Sequence, residues 1–323
     1  MDGIRNDPKH SGYLQCATLC KSLGGNDIQL LTITENIKFS FNYYDQLKIL
    51  KRDFRDRYTI KNEMERLTDK QAKMNQKLRR AAEEPEEFES QEQNVGIESR
   101  YNQHLLFNHQ KKAIIITARV HPGETQASFA LEGMVSFLLS DHPRAKEIRK
   151  GMIVYVVPML NPDGVIQGNH RTDLCGMDMN RRWSQPSPWI HPTIYAVKNL
   201  AYLIKEERNI DVFCDIHGHF QAHGGFMYCC SYDKEKGNGV PKPDYEKDSM
   251  LRVVPQLLSE KNEFFSFRYS TFNMEGYKAG SARQAMFHDL KIINSFTLEN
   301  SFFARYTEQE LEKINRIMQQ NIE

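Results

Sequence analysis

The chain has 323 residues, of which 40% are hydrophobic, and a formal net charge of +1, enough apolar material for one enzyme-sized core. The near-neutral balance, with no basic stripe interleaved with aromatics, excludes a nucleic-acid footprint, and no apolar run is long enough to span a bilayer. Six Cys fall into neither a zinc-ribbon nor a disulfide-framework spacing, which suits a reducing compartment, and the adjacent Cys229 and Cys230 would pair only with strain.

Residues 13–23 and 28–33 read as two β-rich segments joined through Gly24, Gly25 and Asn26, a hairpin signal. Residues 35–110 form a polar insertion in which Ile60, Met64, Leu67, Gln71, Met74 and Leu78 fall four and three apart. That spacing predicts a long helix beside the aromatic stretch 39–58, and its polar break fits a solvated excursion better than a partner-binding coiled coil. The acidic run Glu83–Glu89 reads as solvated chain. Ala113–Ala118 is a buried-strand pattern, and 126–140 has helical spacing through Phe129, Met134, Phe137 and Leu138. Further strands are predicted over 153–159, 212–216 and 292–298, with a turn at 161–165 and helices over 189–207, 248–260 and 307–320. Thr307 and Glu310 make a capping box for the last of these. Strands alternating with helices point to an α/β/α sandwich on a mixed sheet.

Three side chains in this frame have the types and order of a catalytic metal site. His121 and Glu124, separated by Pro122 and Gly123, follow the strand ending at Ala118, and His217 closes the strand starting at Val212. Two neighbouring ligands and a distant third leave one position of a tetrahedral zinc ion open, whereas a closed structural site would recruit four, mostly Cys. A lone His-x-x-Glu beside a Pro-Gly turn is also an ordinary surface loop. The strand-end placement, where open α/β sheets build their sites, favours the metal. Glu299 ends the strand 292–298 in the same way, although a carboxylate there also suits a simple cap.

Taken together, Thr117–Glu124, Asn161–Val165, Asn169–Arg171, Asp178–Arg181, Cys214–His219 and Ser295–Asn300 resemble, in order, the motifs of the metallocarboxypeptidase family. The likeness is nearest to its cytosolic carboxypeptidase branch, the protein deglutamylases, and covers residues 11–34 and 111–320. It implies an α/β/α sandwich around a mixed, mostly parallel eight-stranded sheet, with 1–34 opening the catalytic domain, 35–110 a charged helical insertion and 111–323 the remainder. The β-sandwich domain and first helix that precede this point in relatives have no counterpart here, so the chain is expected to lack them.

The resemblance also implies one Zn2+ per chain, held by His121, Glu124 and His217, with Glu299 the general base toward a zinc-activated water and Arg171 stabilising the oxyanion. Asn180 and Arg181 match the clamp on the terminal carboxylate, Arg181 through a planar fork that Lys lacks. Arg283, in Lys278–Arg283, matches a reader of an acidic terminal side chain. Many relatives have Gly-Thr-Gly-Arg where this chain has Gly280-Ser-Ala-Arg283, and Ala282 would be strained at positive φ. The implied activity is removal of C-terminal or side-chain-linked glutamates from acidic protein tails, with tubulin the usual substrate. A catalytically silent module that binds such tails is the alternative. The N-terminus lacks the apolar core of a secretory signal, so a cytoplasmic, cytoskeleton- or cilium-associated protein is expected, with no nucleic-acid or membrane partner.

Overall fold

A computed structural model describes residues 8–36, 111–220, 223–232, 245–274 and 276–302. The long helix and acidic run expected within 35–110, and the helix with its capping box expected over 307–320, lie outside these residues.

The described residues build a single eight-stranded sheet from β1 (Leu14–Lys21), β2 (Asp27–Ile33), β3 (Lys112–Ala118), β4 (Met152–Val157), β5 (Ile210–His219), β6 (Gly225–Cys229), β7 (Thr271–Phe272) and β8 (Asn294–Ser301). The spatial order is β1-β2-β4-β3-β5-β8-β6-β7. The four central strands, β4, β3, β5 and β8, run parallel, while β1, β2 and the β6–β8 pairing are antiparallel. Parallel strands must be covered on both faces, and the side-chain alternation of β4 shows how. Ile153, Tyr155 and Val157 enter one core with Trp183 and the apolar faces of two helices, α4 (Pro192–Glu207) and α6 (Ala282–Leu290). Val154 and Val156 enter the opposite core with α1 (Thr125–Leu139). The expected α/β/α sandwich is therefore the observed fold.

Several local expectations change. The core stripe of α1 is Ala127, Leu131, Val135 and Leu138, spaced four, four and three, while Phe129 is 72% exposed and Phe137 also faces outward. Bulk misled the pattern, because the smaller residues are the ones that fit against the sheet. Asn161–Val165 is not a simple turn but the start of α3 (Pro162–Gln167), with the Asn161 side chain accepting from the Gly164 N–H at 2.9 Å. Asn as cap with Pro first in the helix is a favourable entry. The intervening α2 (Pro143–Gly151) was not anticipated. The helix expected from Trp189 starts at Pro192, leaving Trp189 and Ile190 half exposed. The helix expected over 248–260 is α5 (Tyr245–Lys261), which accommodates Pro255 internally. The short strands β6 and β7 escaped the residue pattern altogether.

The β1–β2 hairpin is tied to α3 by one carboxylate. Asp163 accepts from Ser22 Oγ (2.5 Å), the Gly24 N–H (2.8 Å) and Asn26 Nδ2 (2.8 Å). Asp163→Ala leaves the buried Ser22 hydroxyl and two partly exposed donors without their acceptor and is expected to cost about 1–3 kcal/mol. The midpoint of denaturant unfolding reads this, and an unchanged midpoint would show that water replaces the carboxylate freely.

Candidate active site

Each half of the site grows from the carboxyl ends of the central strands. After β3 the chain turns at Arg119, a non-glycine residue at φ 58° whose guanidinium donates to the Pro122 carbonyl (2.8 Å) and Ser128 Oγ (2.7 Å). These bonds hold an otherwise disfavoured left-handed conformation and fix the loop that presents His121 and Glu124. Glu124 occupies the cap position of α1 but makes no capping bond. Its carboxylate is engaged elsewhere, near His121 Nδ1 (2.7 Å) and His217 Nδ1 (3.0 Å), and it accepts from the Gly218 N–H (3.0 Å). The two imidazole Nδ1 atoms are 3.2 Å apart. One ligand atom from each of His121, Glu124 and His217 lies within 4.8 Å of the others, and all three residues are buried.

His217 and Glu299 do not sit at strand ends as expected. β5 runs on to His219 and β8 to Ser301, so His217 and Glu299 face each other as register partners inside the sheet. The polar residues past each apolar run stay in the sheet because the two strands pair with one another. Gly218 leaves room for the Gln126 side chain of α1, since a Cβ there would lie 2.0 Å from Gln126 Nε2 and displace it.

The outward nitrogens of the imidazoles meet two carboxylates that the sequence reading did not single out. His217 Nε2 lies 2.7 Å from Asp215, whose other oxygen accepts from Thr117 Oγ1 at 2.7 Å. His121 Nε2 lies 3.1 Å from Asp178, which also takes Arg171 Nε (2.9 Å) and Nη2 (2.8 Å). Fixing the outer nitrogen leaves Nδ1 to face inward as a ligand. Asp215 was detectable in principle, since residues two apart on a strand share a face. Asp178 opens the Asp178–Arg181 motif, but no spacing in the sequence ties it to His121.

These charges set the protonation of the cluster. Burial pushes the Glu124 carboxyl up, but its hydrogen bonds to His121 and His217 outweigh that and hold it well below the usual range. Burial likewise opposes the charged form of His217, yet the Asp215 charge and hydrogen bond, reinforced by Glu124, raise it well above the ordinary value. A donor set this negative draws a proton into the place of a cation. Glu299 is pushed up to about 7, chiefly by burial. Asp178 is held low by His121 and Arg171 despite its burial. Two neutral imidazoles and one carboxylate with orienting partners are a donor set that fits zinc.

A cavity of about 340 Å³ opens on this centre. Arg171, Asn180, Arg181, Arg283 and Glu299 all line it together with the three candidate ligands His121, Glu124 and His217, so one cavity gathers every predicted site residue. Asn180 Oδ1 accepts from the Ala282 N–H (2.9 Å), and Arg181 donates to the Asn180 carbonyl (2.9 Å). Gly280 lets the next loop pass, since a Cβ there would lie 2.2 Å from the Arg181 carbonyl oxygen. Ala282 is the first residue of α6 and is not among the positive-φ positions, so its departure from Gly carries no strain.

The sequence profile described as zinc carboxypeptidase matches residues 6–322. The chain belongs to the zinc carboxypeptidase family. Human cytosolic carboxypeptidase 1 is 38% identical over 208 residues, 63% of this chain and 17% of that protein. Mouse cytosolic carboxypeptidase 6 is 37% identical over 220 residues, 64% of this chain and 39% of that protein. The chain thus falls in the cytosolic branch of the zinc carboxypeptidases while spanning well under half the length of these relatives. Among solved structures, a metallo-carboxypeptidase from Burkholderia cenocepacia superposes with a TM-score of 0.57 at 19% identity, covering 91% of this chain and 57% of that one. One from Pseudomonas aeruginosa, in complex with (2-guanidinoethylmercapto)succinic acid, gives 0.56 at 18%, covering 90% and 56%. At these identities the likeness establishes the zinc carboxypeptidase fold alone.

Zinc binding by this family member is expected to release a proton. Because the folded His217 is raised, it is protonated in metal-free protein near neutral pH, whereas a metal ligand must be neutral. Proton release should diminish, and apparent zinc affinity should strengthen, as pH rises and His217 loses its proton before the metal arrives. Calorimetric zinc titrations in buffers of different ionisation enthalpy measure it, and equal heats in all buffers at pH 7 would contradict it.

Proposed function

We propose that this chain is a zinc exopeptidase that removes C-terminal or side-chain-linked glutamates from acidic protein tails, tubulin tails among them. The observation that carries the reading is the cavity itself, which brings a metal-binding triad, one further carboxylate and three arginines together. His121, Glu124 and His217 would hold the zinc, with Asp215 and Asp178 keeping both imidazoles turned inward. When bound, zinc would polarise the scissile carbonyl and acidify water. Glu299 accepts the proton of the attacking water and delivers it to the leaving nitrogen. Arg171, held by a hydrogen bond and an ion pair to Asp178, supplies positive charge to the developing oxyanion. Asn180 and Arg181 hold the free carboxylate that marks a chain end, and this confines hydrolysis to the last residue. Arg283 reads the acidic side chain. The name of the relatives agrees with action in the cytosol, where microtubules present such tails.

The test is incubation of purified, zinc-loaded protein with a peptide ending in several glutamates, beside Glu299→Gln. Glutamate released by the parent and not by the variant supports the reading. Binding of the peptide by both with release by neither would leave the acidic-tail-binding module instead.

A further inference from the structure

Helix α6 opens onto the wall of the same cavity, and the hydroxyl of its cap residue is short of a partner. Ser281 stands at the cap position with φ −76° and ψ 155°, where a serine hydroxyl ordinarily accepts from an N–H of the first turn. Here it makes no such bond. Ser281 lines the cavity and is only 4% exposed, yet its Oγ is screened from bulk water and has no hydrogen-bond partner. The Ala282 N–H is spent on Asn180, so the next amide of the turn is that of Arg283.

The Arg283 side chain has hydrogen-bond partners but lacks a counter-charge. It is 1% exposed and lines the cavity, and Nη1 donates to the carbonyls of Cys229 and Asn273. No carboxylate lies within ion-pair distance of it among the described residues. A buried guanidinium without a counter-charge is costly unless a ligand completes it. A helix N-terminus adds partial positive charge and inward N–H groups at the same place.

We propose that Ser281, the first turn of α6 and Arg283 form one seat for the side-chain carboxylate of the terminal residue, in which Ser281 is a specificity-determining residue. The inference rests on the acidic-end reading given above and deepens it. Rotation about a single bond turns the Ser281 hydroxyl to donate to a carboxylate oxygen. Every other group in the seat is a donor, so a carboxylate is satisfied there while a carboxamide brings an N–H pair with little to meet it.

Binding without turnover tests this. In a zinc-loaded Glu299→Gln background, calorimetric titration compares two peptides that differ only in ending in Glu or Gln. The background protein should prefer the Glu-ended peptide by at least about tenfold. Adding Ser281→Ala should cut that preference by about tenfold, through weaker binding of the Glu-ended peptide alone, and Ser281→Thr should retain it. A preference unchanged by Ser281→Ala, with only the melting temperature lowered, would overturn the proposal and leave Ser281 a helix cap. A background protein that binds neither peptide, or both equally, fails the acidic-end reading and this seat with it.

Discussion

Replacing Glu299 by Gln is expected to lower the rate of glutamate release by about 10²–10⁴-fold, with little change in KM. Among the described residues, two carboxylates line the cavity, Glu124 and Glu299. Glu124 is committed to both imidazoles and to the Gly218 N–H, which leaves Glu299 as the one acid free to exchange a proton with substrate or water. The same substitution should act oppositely on metal-free stability. A carboxyl whose folded value is raised from 4.5 to about 7 holds a proton that the unfolded chain has already lost between those values. Its stabilising contribution is therefore present at low pH and lost as pH rises toward 7. At pH 8 the parent buries a charge that His217 and His121 offset only in part, and the Gln variant does not. Unfolding in the presence of a chelator should find Glu299→Gln more stable at pH 8, on the order of 1–3 kcal/mol, and equal to the parent near pH 4.5. Lost activity with gained stability separates chemistry from misfolding. A variant that keeps more than about a tenth of the parental rate would remove Glu299 from the proton transfer.

What the sequence revealed and concealed follows from how each feature is encoded. Buried parallel strands such as Ala113–Ala118 appear as continuous apolar runs, so the sheet and its alternation with helices were readable. The metal triad was readable because ligands must be of particular types. The ends of β5 and β8 were not, since His217, His219, Glu299 and Asn300 are polar and look like exits, whereas pairing between the two strands keeps them in the sheet. Functional sites are where local patterns and tertiary structure disagree. Glu124 is a further instance, an acid at a helix cap that does not cap. Roles that depend on contact across the fold, such as Asp178 joining His121 to Arg171, leave no periodic trace. The unfilled hydroxyl of Ser281 is likewise visible only once the cavity is assembled.

Asp215→Asn should weaken zinc binding by about 10–100-fold while leaving the three ligands in place. Asp215 is fully buried, between His217 Nε2 and the Thr117 hydroxyl, each at 2.7 Å. Its charge makes His217 a stronger donor, and its position fixes which imidazole nitrogen carries the hydrogen. The isosteric amide keeps the shape but loses the charge, and it can offer its NH2 to Nε2, which favours the tautomer with hydrogen on the ligand atom. Thr117→Val tests the next contact out, because it removes the bond that holds Asp215 and should cost less than the amide does, about threefold to tenfold. Competition with a chromophoric chelator measures both constants without any substrate. The order of the effects is the informative part. If the carboxylate acts through His217, Asp215→Asn exceeds Thr117→Val, and both fall away in a His217→Ala background where there is no imidazole left to orient. Losses that persist undiminished in that background would mean that Asp215 serves the sheet and not the metal.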